Sequence, residues 1–129
     1  VGGAIGSGRS VKVLVVEDDK KIAELIRFTL TKNGYQCDTV HNGRSALGIL
    51  KTQNFDLVLL DTSLPDISGV DVLKIIKQND ILKHIKIVLM TASVELDFKT
   101  ATKYGALDYW RKPLSMQDLL SRIRKYTEG

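Results

Sequence analysis

The sequence is poor in several things that commonly give a function away. It holds one cysteine, Cys37, which excludes an intrachain disulfide and a cysteine-built zinc cluster and fits a reducing, cytoplasmic compartment. No apolar run comes near the roughly 18 residues that a membrane span requires. Residues 1–10, VGGAIGSGRS, lack the charged and apolar regions of a signal peptide and read as linker or expression tag, so the fold is sought from Val11 onward, over 11–128. GxxxxGK[ST] is missing, which excludes a P-loop nucleotide site. Basic residues exceed acidic ones, 19 to 15, giving a net charge of +4. They are scattered among acids without an aromatic-rich basic stripe, so the excess describes a solvated surface and makes no case for direct nucleic-acid binding.

What is present is alternation. At 129 residues and 43% hydrophobic content the chain can build one domain with a sizeable core. Short apolar runs read as strands at 12–16, 35–40, 55–60, 85–90 and 107–110. Between them lie helical patterns: Ile22, Leu25, Ile26 and Leu30 on one face before Gly34; Ala46, Leu47 and Leu50 after an Asn42 cap; Val72, Leu73 and Ile76 up to Asn79. A fourth helix is expected over 95–104, closed by Gly105, and a fifth carries Leu119, Leu120 and Ile123 inward. Near-continuous apolar strands alternating with helices predict an α/β doubly wound fold, five parallel strands covered by five helices on both faces. Ligands of such sheets sit at the carboxyl ends of the strands.

Those ends carry Glu17 and Asp18, Asp61, Thr91 and Lys112. Singly each has an ordinary explanation: acids capping a helix, a strand-end threonine, a solvated lysine. Asp61 is harder to dismiss, because it ends the buried run LVLL with no helix start close enough to cap. Gathered in one pocket, the carboxylates would repel by about 4 kcal/mol per pair at 4 Å and an effective dielectric near 20. A proton or a cation must relieve this. An all-oxygen, solvent-open cluster suits Mg²⁺, and zinc is disfavoured because His41 and His84 lie outside these four positions. Asp61 would then be a nucleophile towards phosphorus, with Mg²⁺, Lys112 and Thr91 spreading the charge of the phosphoryl oxygens.

The motifs VLVVED (13–18), DLVLLDTSLPDISG (56–69), LMTA (89–92) and GALDYWRKP (105–113), in this order, resemble the receiver domain of two-component response regulators, the CheY-like fold. The resemblance implies the strand order 2-1-3-4-5. It implies that Asp61 accepts a phosphoryl group from a sensor histidine kinase or a histidine phosphotransfer protein, and that the chain assists its own phosphorylation and dephosphorylation without being a turnover enzyme. Asp18, Asp61 and the backbone carbonyl of Ser63 would bind Mg²⁺, with Glu17 reaching the metal through water. Thr91 and Lys112 match the phosphate-contacting residues, and Pro113 implies a cis peptide bond after Lys112. Tyr109, which the residues alone describe as a half-buried strand aromatic, falls at the aromatic switch position. Thr91 and Tyr109 would move together, shifting the face of the fourth helix and fifth strand that governs a downstream effector.

Some positions depart from the common pattern. Ser63 is small and polar, Thr62 and Ser68 make the loop polar, and 94–105 lacks the arginine-rich pattern of receivers that dimerise through the fourth helix and fifth strand. Phe98 is left as an exposed apolar contact, and the pattern allows a weak homodimer. A haloacid-dehalogenase-type phosphatase would need an acid at position 63. A flavodoxin-like flavin site would need a Ser/Thr/Gly loop where Glu17, Asp18 and Asp19 stand. A degenerate receiver that only binds partners is disfavoured, since no pocket residue is missing.

Overall fold

The computed structural model describes residues 10–128, so all but the last residue of the segment read as linker lies outside the described residues. Five strands alternate with five helices: β1 (Lys12–Val16), α1 (Lys20–Lys32), β2 (Gln36–Val40), α2 (Gly43–Leu50), β3 (Leu57–Asp61), α3 (Gly69–Gln78), β4 (Lys86–Thr91), α4 (Phe98–Lys103), β5 (Asp108–Arg111) and α5 (Met116–Thr127). The strands form one parallel sheet in the order β2-β1-β3-β4-β5.

Side chains on a strand alternate between faces, so each strand feeds two cores. Leu14, Val58, Leu60, Ile87 and Leu89 pack with Ala46, Leu50, Val72, Leu73, Ile76 and Ala101, on the side of α2, α3 and α4. Val13, Val15, Leu57, Leu59, Val88 and Met90 pack with Ile26, Leu30, Leu119 and Ile123, on the side of α1 and α5. Trp110, fully buried, fills the second core.

Each helix starts where a side chain can accept its free amides. Asp19 accepts from Lys21 and Ile22, Asn42 from Ser45, Ser68 from Asp71, Asp97 from Thr100 and Ser115 from Asp118. Gly34 and Gly105 close α1 and α4 at φ of 92° and 103°, where a side chain would be strained.

Two expectations need correction. On α1 the inward residues are Ala23, Ile26 and Leu30, whereas Ile22 and Leu25 are 39% and 50% exposed. Leu25 lies about 100° round the helix from Ile26, and Ile22 is on that same flank; small Ala23 instead faces the sheet. The fourth helix is also shorter than 95–104, because Asp97 caps it and Phe98 is its first residue.

The loop after β3 is held at two points. A Cβ at Gly69 would stand 2.1 Å from the carbonyl oxygen of Asp61 and 2.8 Å from Thr62 Cα. The Gly69 amide also donates to the Thr62 carbonyl at 3.0 Å. Only glycine lets α3 start against the end of β3. Further along, the Asp66 carboxylate accepts the amides of Gly43 at 2.8 Å and Arg44 at 2.9 Å, anchoring the loop on the amino end of α2. Burial raises the Asp66 pKa, but these backbone hydrogen bonds outweigh it and hold the carboxyl below its ordinary value.

Gly69→Ala should lower the unfolding free energy by about 3 kcal/mol, read from the urea midpoint, because the neighbour that must yield is backbone. For Asp66 the lowered folded-state pKa means a contribution present above the ordinary value of 3.8 and lost as pH falls through the folded value. Urea unfolding should therefore find wild type more stable than Asp66→Ala at neutral pH, with the difference shrinking as pH falls below 3.8.

Candidate functional site

Glu17 follows β1 directly, Asp61 is the last residue of β3, and Lys112 follows β5. By strand alternation all three take the α1/α5 side, since Val15, Leu59 and Trp110, two positions earlier in each strand, belong to that core. Lys112 Nζ donates to Glu17 Oε1 at 2.6 Å and lies 3.3 Å from Asp61 Oδ1. Glu17 and Asp61 are almost wholly buried, at 1% and 3% exposure. Asp18 is exposed beside them, and one carboxylate oxygen from each of Glu17, Asp18 and Asp61 falls within 4.8 Å of the others.

Burial pushes the Glu17 carboxyl up, an effect that the Lys112 hydrogen bond only partly offsets and the charge of Asp61 adds to. Burial pulls the Lys112 ammonium down, but its bond to Glu17 and the charges of Asp61 and Glu17 outweigh this, so it is raised and stays protonated. The second Glu17 oxygen accepts the Asp19 amide at 3.1 Å. On Asp61, Oδ1 takes both the Lys112 ammonium and the Ser63 amide, at 3.3 Å each, and Oδ2 takes neither.

Three carboxylates and one ammonium leave two negative charges when all are ionised. The donors are all oxygen and one acid is open to solvent, which fits a hard divalent cation such as Mg²⁺ and offers nothing to a soft one. His41, which follows β2, places Nδ1 3.0 Å from the Glu17 carbonyl oxygen. That oxygen can only accept, so the ring donates and steadies the backbone of the acidic corner.

Thr91 is fully buried and takes the other side of the sheet, two positions after Leu89. Its Oγ1 accepts from Thr62 Oγ1 at 2.8 Å and from the Ser93 amide at 2.9 Å. Tyr109 lies on this side too, half-buried against the α2–α4 core, with its hydroxyl donating to the Leu96 carbonyl at 2.5 Å. The peptide bond between Lys112 and Pro113 is cis.

Glu17, Asp18, Asp61 and Lys112 are thus brought together, whereas Thr91 and Tyr109 are held at the same edge by partners of their own. Sequence reasoning missed Thr62 and the place of His41. Thr62 emerges only from the register of the folded sheet: Asp61 pairs with Met90, so the next residues, Thr62 and Thr91, are neighbours on one face.

The sequence profile of the response regulator receiver domain matches residues 13–124. Over 113 residues, 87% of this chain, it is 37% identical to the transcriptional regulatory protein YkoG of Bacillus subtilis, of which it spans 49%. Over 116 residues it is 36% identical to sporulation initiation phosphotransferase F of the same organism, covering 89% of this chain and 92% of the relative. The chain therefore spans about half the length of one relative and nearly all of the other. Among solved structures, the response regulator TrrA of Thermotoga maritima in complex with Mg²⁺-BeF superposes with a TM-score of 0.79 at 34% identity, covering 90% of this chain and 98% of that one. With the 2-1-3-4-5 sheet and the acidic edge, these likenesses show that the chain belongs to the response regulator receiver domain family.

Proposed function

We propose that this domain is a phosphorylation switch in which Asp61 takes a phosphoryl group from a phosphohistidine of a sensor histidine kinase or a histidine phosphotransfer protein. The observation that carries the reading is the Asp61 carboxylate at the end of the central strand, with the Lys112 ammonium 3.3 Å away and two more carboxylates alongside. Membership of a family of signalling switches supports it.

In this reading Oδ2, the Asp61 oxygen that neither Lys112 nor Ser63 holds, attacks phosphorus. As the new P–O bond forms, the P–N bond to the donor's imidazole breaks. The ring leaves with the bonding pair, neutral because its second nitrogen carries a proton. Lys112 gives its ammonium to one phosphoryl oxygen and Thr91 gives its hydroxyl proton to another. Asp18, Asp61 and the Ser63 carbonyl, with Glu17 behind them, would hold a Mg²⁺ that supplies further positive charge to the phosphoryl oxygens. Water attacking phosphorus in this acyl phosphate breaks the P–O bond to Asp61, releases inorganic phosphate and restores the carboxylate.

The donor must bring its ring to this edge. Ile22 and Leu25, exposed on α1, line an apolar hollow of about 260 Å³ with Pro113 and Leu114, next to Glu17 and Lys112. It gives a landing beside the chemistry without competing with it. Recruitment of Thr91 and inward turning of Tyr109 would then alter the face of α4 and β5 and so bias a downstream partner or effector domain between two states. A cytoplasmic location belongs to the same proposal.

Incubation with a small phosphodonor and Mg²⁺ should add the mass of one phosphoryl group to the intact protein, and Asp61→Asn should add none. Lys112→Ala should slow the gain by about a hundredfold. Label on a serine or threonine, or no gain in wild type, would sink the reading. Millimolar Mg²⁺ should also raise the thermal midpoint of the wild type and leave that of Asp18→Asn nearly unmoved, since a ligand of the folded state stabilises only where its site is intact.

A further inference from the structure

We infer that Thr62 is a positioning residue: its hydroxyl holds the Thr91 hydroxyl on the α3/α4 side of the sheet and so sets the balance between the resting and the phosphorylated form. This rests on the reading of Asp61 as phosphoacceptor and adds to it a regulatory element within the same site.

Alternation along the strands carries the argument. Asp61 follows Leu59 onto the α1/α5 side, and Thr91 follows Leu89 onto the other. A phosphoryl group on Asp61 and the hydroxyl of Thr91 therefore start on opposite faces, and among the described residues no hydrogen bond joins the two side chains. Thr62, one residue beyond Asp61, falls on the side of Thr91. The Thr62 amide continues the β3–β4 ladder by donating to the Met90 carbonyl at 3.0 Å, so its side chain is fixed opposite its neighbour.

The Thr91 oxygen has two lone pairs. Thr62 Oγ1 donates to it at 2.8 Å and the Ser93 amide at 2.9 Å. Donation to a phosphoryl oxygen uses the Thr91 hydrogen, which neither contact occupies, but to reach across the strand end the oxygen has to swing away from both donors. The same segment is tied twice more, by the Tyr109 hydroxyl on the Leu96 carbonyl and by the Arg111 guanidinium on the Ser93 carbonyl at 3.2 Å. Thr62, Ser63, Thr91, Ser93 and Leu96 border an open hollow of about 350 Å³, which gives residues 93–96 room to descend once Thr91 turns. One such hydrogen bond corresponds to about a fivefold change in the ratio of the two forms.

The test uses Thr62→Val, which keeps the shape and loses the hydroxyl, and Thr62→Ser, which keeps the hydroxyl. Amide resonances of Ser93, Leu96 and Tyr109 are followed while beryllofluoride, a mimic of the phosphoryl group, is titrated in the presence of Mg²⁺. In Thr62→Val without beryllofluoride, these resonances should lie part-way along the line joining the two wild-type end points. Half-saturation should come at about fivefold lower beryllofluoride. Thr62→Ser should return both readings to wild type. Coincidence of Thr62→Val with wild type, a shift the other way, or a Thr62→Ser that behaves as Thr62→Val overturns the inference. A wild type that answers neither beryllofluoride nor a phosphodonor overturns the Asp61 reading itself, before any variant is compared.

Discussion

The site depends on one ammonium group placed between two buried carboxylates. Without Lys112, Glu17 and Asp61 would face each other across the ends of β1 and β3 with little solvent to screen them. With it, one oxygen of each is satisfied, Asp61 keeps an oxygen in reserve, and the corner retains the two negative charges that suit a divalent cation. The order of the strands makes this possible, since β3 lies between β1 and β4 with β5 beyond, and the long side chain of Lys112 reaches back across β4. A shorter side chain at 112 could not span that distance.

Around this corner the structure divides into a stiff side and a loose one. On the stiff side, Gly69 lets α3 begin in contact with the Asp61 carbonyl, and Asp66 fastens the loop to α2. On the loose side, α4 has six residues and one buried residue, Ala101, and the segment before it is largely exposed. Few buried apolar contacts mean a low cost of local rearrangement. Asp61 is thus held still while the segment that follows Thr91 is free to move.

Much of this was legible in the residues themselves. Apolar runs located all five strands to within a residue or two, and Asn42 named the start of α2, because strand burial and capping are local effects. The acids and Lys112 could be assigned to one edge because a parallel sheet puts all carboxyl ends together. What local pattern could not supply was register and helix rotation. The pairing of Thr62 with Thr91 depends on how β3 and β4 are set against each other. The outward turn of Ile22 and Leu25 depends on how closely Ala23 lets α1 approach the sheet. The contact of His41 with the Glu17 carbonyl depends on the edge strand β2, whose alternating pattern was the weakest.

The alternation that sends Asp61 and Thr91 to opposite faces has a wider consequence. The sheet is an insulating partition: charge is handled on one side, and the hydroxyl and the aromatic ring that would report it stand on the other. A message cannot pass through its packed interior, where the central strand is buried along its whole length. It would have to cross over the rim, at the carboxyl ends of β3 and β4. On the proposed reading, incoming and outgoing partners would therefore occupy separate surfaces at the same time, with the Thr62–Thr91 pair as the relay between them.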